Sequence, residues 1–134
     1  MGTTPDVRAG GCLCGAVGYR APLTNDAVLQ CHCENCRRLS GNFVAAVRST
    51  MADLELTDPD GEFAWHDLGY ARYGFCRRCG STLFFAPTES PATMSVMVGT
   101  LDDASGLRLD SVWFAEEAQP HNPLPDVTLH AGNG

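Results

Sequence analysis

The distribution of cysteine is the feature of this sequence that most constrains its fold. All seven cysteines lie in three short motifs, CLC at 12–14, CHCENC at 31–36 and CRRC at 76–79. Where thiols are kept reduced, such close C-x-C and C-x-x-C pairs serve as metal ligands more often than as disulfides. An odd total also argues against a complete set of disulfides. The pattern therefore predicts metal binding.

The number of ligands suggests how the cysteines divide between metals. The N-terminal C-x-C and the later C-x-x-C together supply four thiolates, the closed tetrahedral shell of a structural zinc. The central motif supplies three thiolates and leaves one position open, as catalytic zinc sites do. Spacing alone leaves another division open, in which the N-terminal pair joins the central motif. The simplest division assigns the structural zinc to Cys12, Cys14, Cys76 and Cys79 and the open zinc to Cys31, Cys33 and Cys36.

Iron is the rival metal for thiolate ligands. Iron–sulfur clusters take four ligands each in most proteins, so two clusters need eight cysteines where this chain has seven. The type and number of ligands therefore favour zinc, with two ions per chain.

Length and composition limit the fold and its partners. A chain of 134 residues, 44% hydrophobic and 19% charged, is typical of one globular domain, here 1–134. A net charge of −7 argues against nucleic acid as a partner, because neutralising phosphates requires a basic surface. No apolar run is long enough to span a bilayer, and the first residues do not resemble a secretory signal. We therefore expect a cytoplasmic protein that binds neither nucleic acid nor membrane.

The local pattern indicates short strands and little helix. Segments rich in Val, Tyr, Phe and Thr alternate with turn signals such as DPDGE and DDASG, which is typical of antiparallel β structure. The best helix candidate is Glu34–Ser40, ended by Gly41. Several prolines and no periodicity predict a coil-rich tail at 116–134, which leaves a core at about 10–115. The predicted strands are Ala16–Arg20, Phe43–Val47, Tyr73–Phe75, Thr82–Phe85, Thr93–Val98 and Ser111–Phe114.

Four motifs taken in order carry a family resemblance: GGCLCGAVGYR at 10–20, CHCENCRRLSG at 31–41, FCRRCGSTLFF at 75–85 and GTLDD at 99–103. Together they resemble the glutathione-dependent formaldehyde-activating enzymes, the Gfa or CENP-V/GFA domain family. The resemblance implies a mainly β, Mss4-like (β-tent) fold of antiparallel sheets with zinc-stapled knuckles. It also implies a structural and a catalytic zinc on the two groups of cysteines that the ligand count separates.

The resemblance further implies a zinc-dependent carbon–sulfur lyase that forms or cleaves S-hydroxymethylglutathione. The partners would be a small-molecule thiol, with glutathione first and another cellular thiol second, and an aldehyde, formaldehyde. An open zinc lowers the pKa of a bound thiol, and one site for both reactants makes their encounter local. The competing hypothesis is a non-catalytic, zinc-stabilised protein-binding module of the same fold. Three cysteines in the central motif, where a scaffold would use four, favour the enzyme.

Two arginines directly follow the central motif. Because a guanidinium group matches a carboxylate with two hydrogen bonds, Arg37 and Arg38 are the candidate substrate-binding residues. No catalytic side chain is predicted beyond the zinc ligands. His32 is interpreted as a structural imidazole, and Asp102 and Asp103 are interpreted as turn formers.

Overall fold

In the part of the chain that the computed structural model describes, ten strands form one hydrogen-bonded sheet. The structure describes residues 5–132, so residues 1–4 and 133–134 of the predicted domain lie outside the described part. The path through the sheet is β10-β9-β2-β3-β8-β7-β6-β5, and β1 and β4 pair with β2 off this path. The elements are β1 (Asp6–Gly11), β2 (Gly18–Cys31), α1 (Glu34–Ser40), β3 (Val44–Thr50), β4 (Glu55–Thr57), β5 (Phe63–Asp67), β6 (Ala71–Cys76), β7 (Thr82–Pro87), β8 (Thr93–Met97), β9 (Arg108–Trp113) and β10 (Thr128–Leu129).

The predicted mainly β fold with little helix is confirmed. Helix α1 has the predicted bounds, and the only other helical segments among the described residues are 3-10 turns at Val98–Thr100 and Ala115–Glu117. Most neighbouring strands are antiparallel, as expected. Strand β9 is the exception, because it runs parallel to both β2 and β10 and makes the sheet mixed.

Strand β2 is longer than its sequence pattern predicts. It continues for 14 residues through a turn-like TND sequence, where its pairing with β3 shifts register between Leu23 and Val28. The irregularity explains why a pattern of strict alternation ends early in this segment. Strand β1 was not predicted, because its sequence DVRAGG contains two glycines and little apolar alternation. Its pairing with β2, rather than its own sequence pattern, stabilises it as a strand.

The sheet buries apolar side chains on both faces, because alternate residues of a strand point to opposite sides. In β3, Val47 faces the larger core around Phe84. Its neighbour Ala46 faces a smaller cluster that includes Cys36 and Met97. Helix α1 and the central cysteine motif therefore lie on the second face of the sheet.

The coil-rich tail folds back on the domain. Strand β10 pairs with β9, and the ring of His130 stacks on Trp113 with 4.2 Å between the ring centroids. The tail therefore covers one edge of the sheet. No helix within the described residues is long and apolar enough to cross a membrane.

Gly10 of β1 lies where two other segments approach closely. A methyl group there would overlap the Tyr19 hydroxyl and the backbone carbonyl oxygen of Thr100. We expect Gly10→Ala to lower the free energy of unfolding by about 1–3 kcal/mol, since a backbone oxygen cannot rotate away. Urea denaturation followed by circular dichroism measures this change.

Gly18→Ala is the matched control, since Gly18 lies in the neighbouring strand and its nearest obstacle is 3.7 Å away. This variant should keep the wild-type stability or gain up to about 1 kcal/mol from a stiffer unfolded chain. Equal stability of the two variants would contradict the close approach at Gly10.

Candidate metal centres

The cysteines of the first and last motifs meet at one end of the sheet. The sulfur atoms of this four-thiol set lie within 4.8 Å of one another. The Cys14 sulfur is 3.6 Å from Cys12 and 3.8 Å from Cys76. Tetrahedral coordination with zinc–sulfur bonds of 2.3 Å puts sulfurs about 3.8 Å apart, so these distances fit zinc. The set consists of Cys12, Cys14, Cys76 and Cys79.

Two similar turns present these thiols. The first turn brings Gly15 N–H to the carbonyl oxygen of Cys12, and the second brings Gly80 N–H to that of Cys76. Both glycines have φ near +80°, a conformation that glycine adopts without strain. In the first turn Val17 N–H also donates to the Cys12 sulfur at 3.3 Å. Each turn thus presents its sulfurs toward the same point.

Ser81 joins the two turns, a role that sequence analysis missed. Its hydroxyl oxygen accepts a hydrogen bond from Leu13 N–H at 2.9 Å and lies 3.2 Å from the Cys79 sulfur. Hydrogen bonding from the Ser81 side chain lowers the pKa of Cys79 to about 5. Since thiolate is the form that binds metal, Ser81 prepares this ligand. The available signal was a hydroxyl residue two positions after the last cysteine.

The three remaining cysteines form a second group, the three-thiol set, also with sulfurs within 4.8 Å of one another. Cys31 ends β2, and Cys33 is the N-cap of α1, where its sulfur accepts a hydrogen bond from Cys36 N–H at 3.4 Å. Interaction with the neighbouring Cys36 thiol lowers the pKa of Cys31 to about 6, and the same interaction raises the pKa of Cys36. No group among residues 5–132 combines this set with the N-terminal pair.

The three-thiol set opens into a cleft of about 1080 Å³ on the second face of the sheet. Ala46 and Phe85 contribute to its apolar lining, and α1 forms one wall. The turn between β5 and β6 reaches α1 across the cleft, because the Tyr70 hydroxyl accepts a hydrogen bond from the Asn35 amide at 2.9 Å. Glu117 also holds α1, since its carboxylate accepts a hydrogen bond from Glu34 N–H at 3.2 Å.

The arginines predicted to bind substrate lie elsewhere. Arg37 and Arg38 line a separate hollow of about 390 Å³ together with Asn42 and His121, and neither lines the cleft of the three-thiol set. The Arg38 guanidinium is 3.0 Å from the Glu34 carboxylate. Substrate binding by these two arginines stays a prediction.

The side chains interpreted as structural are held by local contacts. His32 is buried, its ring stacks on Phe43, and its Nε2 is 3.2 Å from the Gln30 amide oxygen. Burial lowers the pKa of His32, which favours the neutral imidazole. The Asp103 carboxylate accepts a hydrogen bond from Ser105 N–H at 2.9 Å within an exposed turn. None of these residues lines the cleft.

A family model and two known proteins match this chain. A family model described as glutathione-dependent formaldehyde-activating enzyme matches residues 7–117. An uncharacterized lyase of Schizosaccharomyces pombe is 34% identical over 81 residues, which cover 60% of this chain and 58% of that protein. This chain thus aligns with less than two thirds of that relative. A crystal structure of a Rhodobacter sphaeroides protein superposes with a TM-score of 0.60 and 28% identity, covering 75% of this chain and 90% of that one.

The contacts of Ser81 predict that Ser81→Ala weakens metal binding at the four-thiol set. The variant leaves Leu13 N–H without its acceptor and removes a hydrogen bond to the Cys79 sulfur. Loss of such an outer contact typically costs about 10- to 100-fold in metal affinity. Titration with zinc against a competing chelator measures the change.

Ser105→Ala is the control, because the Ser105 hydroxyl bonds Asp103 in an exposed turn away from both cysteine sets. Its zinc affinity should equal that of the wild type. If both serine variants bind zinc equally well, the Ser81 hydroxyl does not prepare the ligands.

Proposed function

This chain belongs to the family of glutathione-dependent formaldehyde-activating enzymes, and we propose that it is a zinc-dependent carbon–sulfur lyase that acts on a thiol–aldehyde adduct. The relative named as a lyase supports the reaction class. Glutathione and formaldehyde are the proposed reactants, and S-hydroxymethylglutathione is the proposed product. We take 1–134 as one domain, since both cysteine sets lie on one sheet.

The observation that carries this proposal is the difference between the two cysteine sets. One set has the four thiols of a closed structural site, whereas the other has three thiols and opens into a cleft. A zinc with three protein ligands keeps a position for water or substrate, as catalytic zinc does. The complete set would stabilise the fold, and the incomplete set would serve the reaction.

The proposed reaction adds a thiol to a carbonyl group. The sulfur forms a bond to the aldehyde carbon, the carbonyl π bond opens, and the thiol proton ends on the new hydroxyl oxygen. The lyase direction reverses each of these changes. Zinc held by Cys31, Cys33 and Cys36 would favour the thiolate form of a sulfur ligand that occupies its open position.

Residues around the cleft would position the reactants. The Tyr70 hydroxyl accepts from Asn35, so its own hydrogen is free to donate to the aldehyde oxygen. A tyrosine phenol is protonated at neutral pH, and burial raises the pKa of Tyr70 further. Holding thiol and aldehyde side by side converts a bimolecular encounter into a local one. Tyr70 lies outside the motifs, and sequence analysis missed it.

The reduced thiols also bear on location. All seven cysteines are free among the described residues, and metal binding needs them as thiolates. A reducing compartment such as the cytoplasm keeps them in that state. We propose the cytoplasm as the site of the reaction.

Replacing one cysteine of each set should give opposite phenotypes. Wild-type protein should carry two zinc ions per chain. Cys76→Ser should unfold or aggregate, because metal-binding energy is folding energy in a domain of this size. Cys33→Ser should lose one zinc and all thiol-dependent activity but keep the far-ultraviolet circular dichroism of the wild type. Elemental analysis and thermal melts provide the measurements.

If the melting temperature of Cys33→Ser falls as far as that of Cys76→Ser, the three-thiol set is a second structural metal site. A single zinc in the wild type, with Cys31, Cys33 and Cys36 freely alkylated in zinc-supplemented protein, would exclude a second metal centre.

Zinc-loaded wild type should accelerate the formation of S-hydroxymethylglutathione from glutathione and formaldehyde beyond the uncatalysed rate. Exchange spectroscopy by nuclear magnetic resonance measures that rate, with Cys33→Ser as the control. Cobalt-substituted protein provides an independent readout, because a thiol that joins the metal changes its visible spectrum. A panel of cellular thiols tests the identity of the substrate. If no thiol alters either the rate or the spectrum, the protein-binding module becomes the better hypothesis.

A further inference from the structure

We propose that Arg48 binds a carboxylate of the thiol substrate, so that the cleft selects thiols whose carboxylate lies well away from the sulfur. This inference rests on the proposed function and specifies its substrate class. Arg48 lies in β3, outside all the cysteine motifs.

The register of β3 places Arg48 on the cleft face. Val44 pairs with Cys31 at the start of β3, and Ala46 faces the small cluster beside Cys36. Because side chains alternate along a strand, Arg48 lies on the same face as these two residues. It lines the cleft that the three thiols line. The strand therefore connects the thiol end of the cleft directly to a guanidinium group.

Arg48 is the only arginine or lysine that lines this cleft in the described part of the chain, and it has no internal partner. It makes no ion pair and no side-chain hydrogen bond with any residue in 5–132. Most of the other arginines are engaged, as Arg8 is with Asp6 and Arg78 is with Asp60. An arginine at the surface of a strand is commonly a solubilising residue. The neighbours of Arg48 therefore decide whether it only solubilises the strand or binds a substrate.

The nearest neighbour on β8 favours a binding role. Ser95 pairs with Arg48 across the two strands and lines the same cleft. It is 8% exposed, and its hydroxyl makes no hydrogen bond to another described residue. Thr88 and Ser90 of the turn that precedes β8 line the cleft as well. A guanidinium group beside an unpaired hydroxyl provides N–H and O–H donors, from which a carboxylate can accept hydrogen bonds.

The length of the strand sets which thiols fit. Arg48 is four residues beyond Val44, which is about 13 Å along a strand. The long arginine side chain shortens this distance but does not remove it. In free cysteine the carboxylate lies within a few bonds of the sulfur, too near to span the gap. A peptide thiol gains roughly 3.5 Å of reach with each further residue, so a tripeptide such as glutathione suits the spacing.

The test uses zinc-loaded full-length protein and three probes: glutathione, glutathione diethyl ester and free cysteine. Calorimetry measures their binding, and steady-state kinetics with formaldehyde measures KM and kcat. Arg48→Ala should weaken the binding of glutathione and raise its KM by about 10- to 100-fold, the usual cost of losing a charged hydrogen bond. The metal content should not change, and kcat should change much less than KM.

The ester and cysteine control for the carboxylate and its position. Glutathione diethyl ester should bind the wild type as weakly as glutathione binds Arg48→Ala, and it should not distinguish the two proteins. Cysteine should likewise show no dependence on Arg48. Arg20→Ala provides the matched protein control, because Arg20 is an exposed strand arginine that does not line the cleft. It should bind glutathione as the wild type does.

The role of Arg48 and the lyase activity can fail independently, and the remaining outcomes distinguish the two failures. Equal affinity of wild type and Arg48→Ala for glutathione overturns the role of Arg48, and turnover in both leaves the lyase intact. Arg48-dependent binding without any turnover overturns the lyase and keeps the carboxylate site. If wild type binds neither glutathione nor cysteine, the assignment of Arg48 is wrong.

Discussion

The convergence of four cysteines from two distant turns is the constraint on which the fold depends. The turns follow β1 and β6, and β6 lies four positions from β2 along the sheet. In a flat sheet, four strand spacings separate elements by about 19 Å. The sulfurs nevertheless lie within 4.8 Å of one another, so the sheet bends until its two halves meet at the thiols. A metal bound there would lock that bend.

The bend gives the two faces of the sheet different packing. The concave face holds the larger core, in which Leu83, Phe84 and Met94 are fully buried. Among the described residues the opposite face carries the smaller cluster beside α1, and this sparser packing leaves the cleft beside the three-thiol set. The four-thiol set and the three-thiol set are thus separated by the sheet, so a variant of one set need not disturb the other.

Local patterns predicted the elements whose signals are local. Helix α1 has the bounds that its sequence indicates, because the Cys33 cap and the left-handed Gly41 define its ends within the segment itself. Strand β1 and most of β2, residues 21–31, were not predicted, since they are stabilised by pairing with other strands. Phe114 was predicted as strand but adopts a left-handed conformation, with φ of 55°, that ends β9. Contacts with the returning tail at Gly132 accompany this turn, and no local rule contains them.

The sequence by itself determined the grouping of the thiols, the mainly β class and the family, because cysteine spacing and ligand number are properties of the chain. Only the tertiary structure decided which polar side chains surround the three-thiol cleft. Arg37 and Arg38 adjoin the motif in sequence but line a different hollow, whereas Arg48 and Tyr70 lie far from it in sequence and line the cleft. The physical reason is that strand register and the alternation of side chains select residues by their position across the sheet. Proximity along the chain does not report that position.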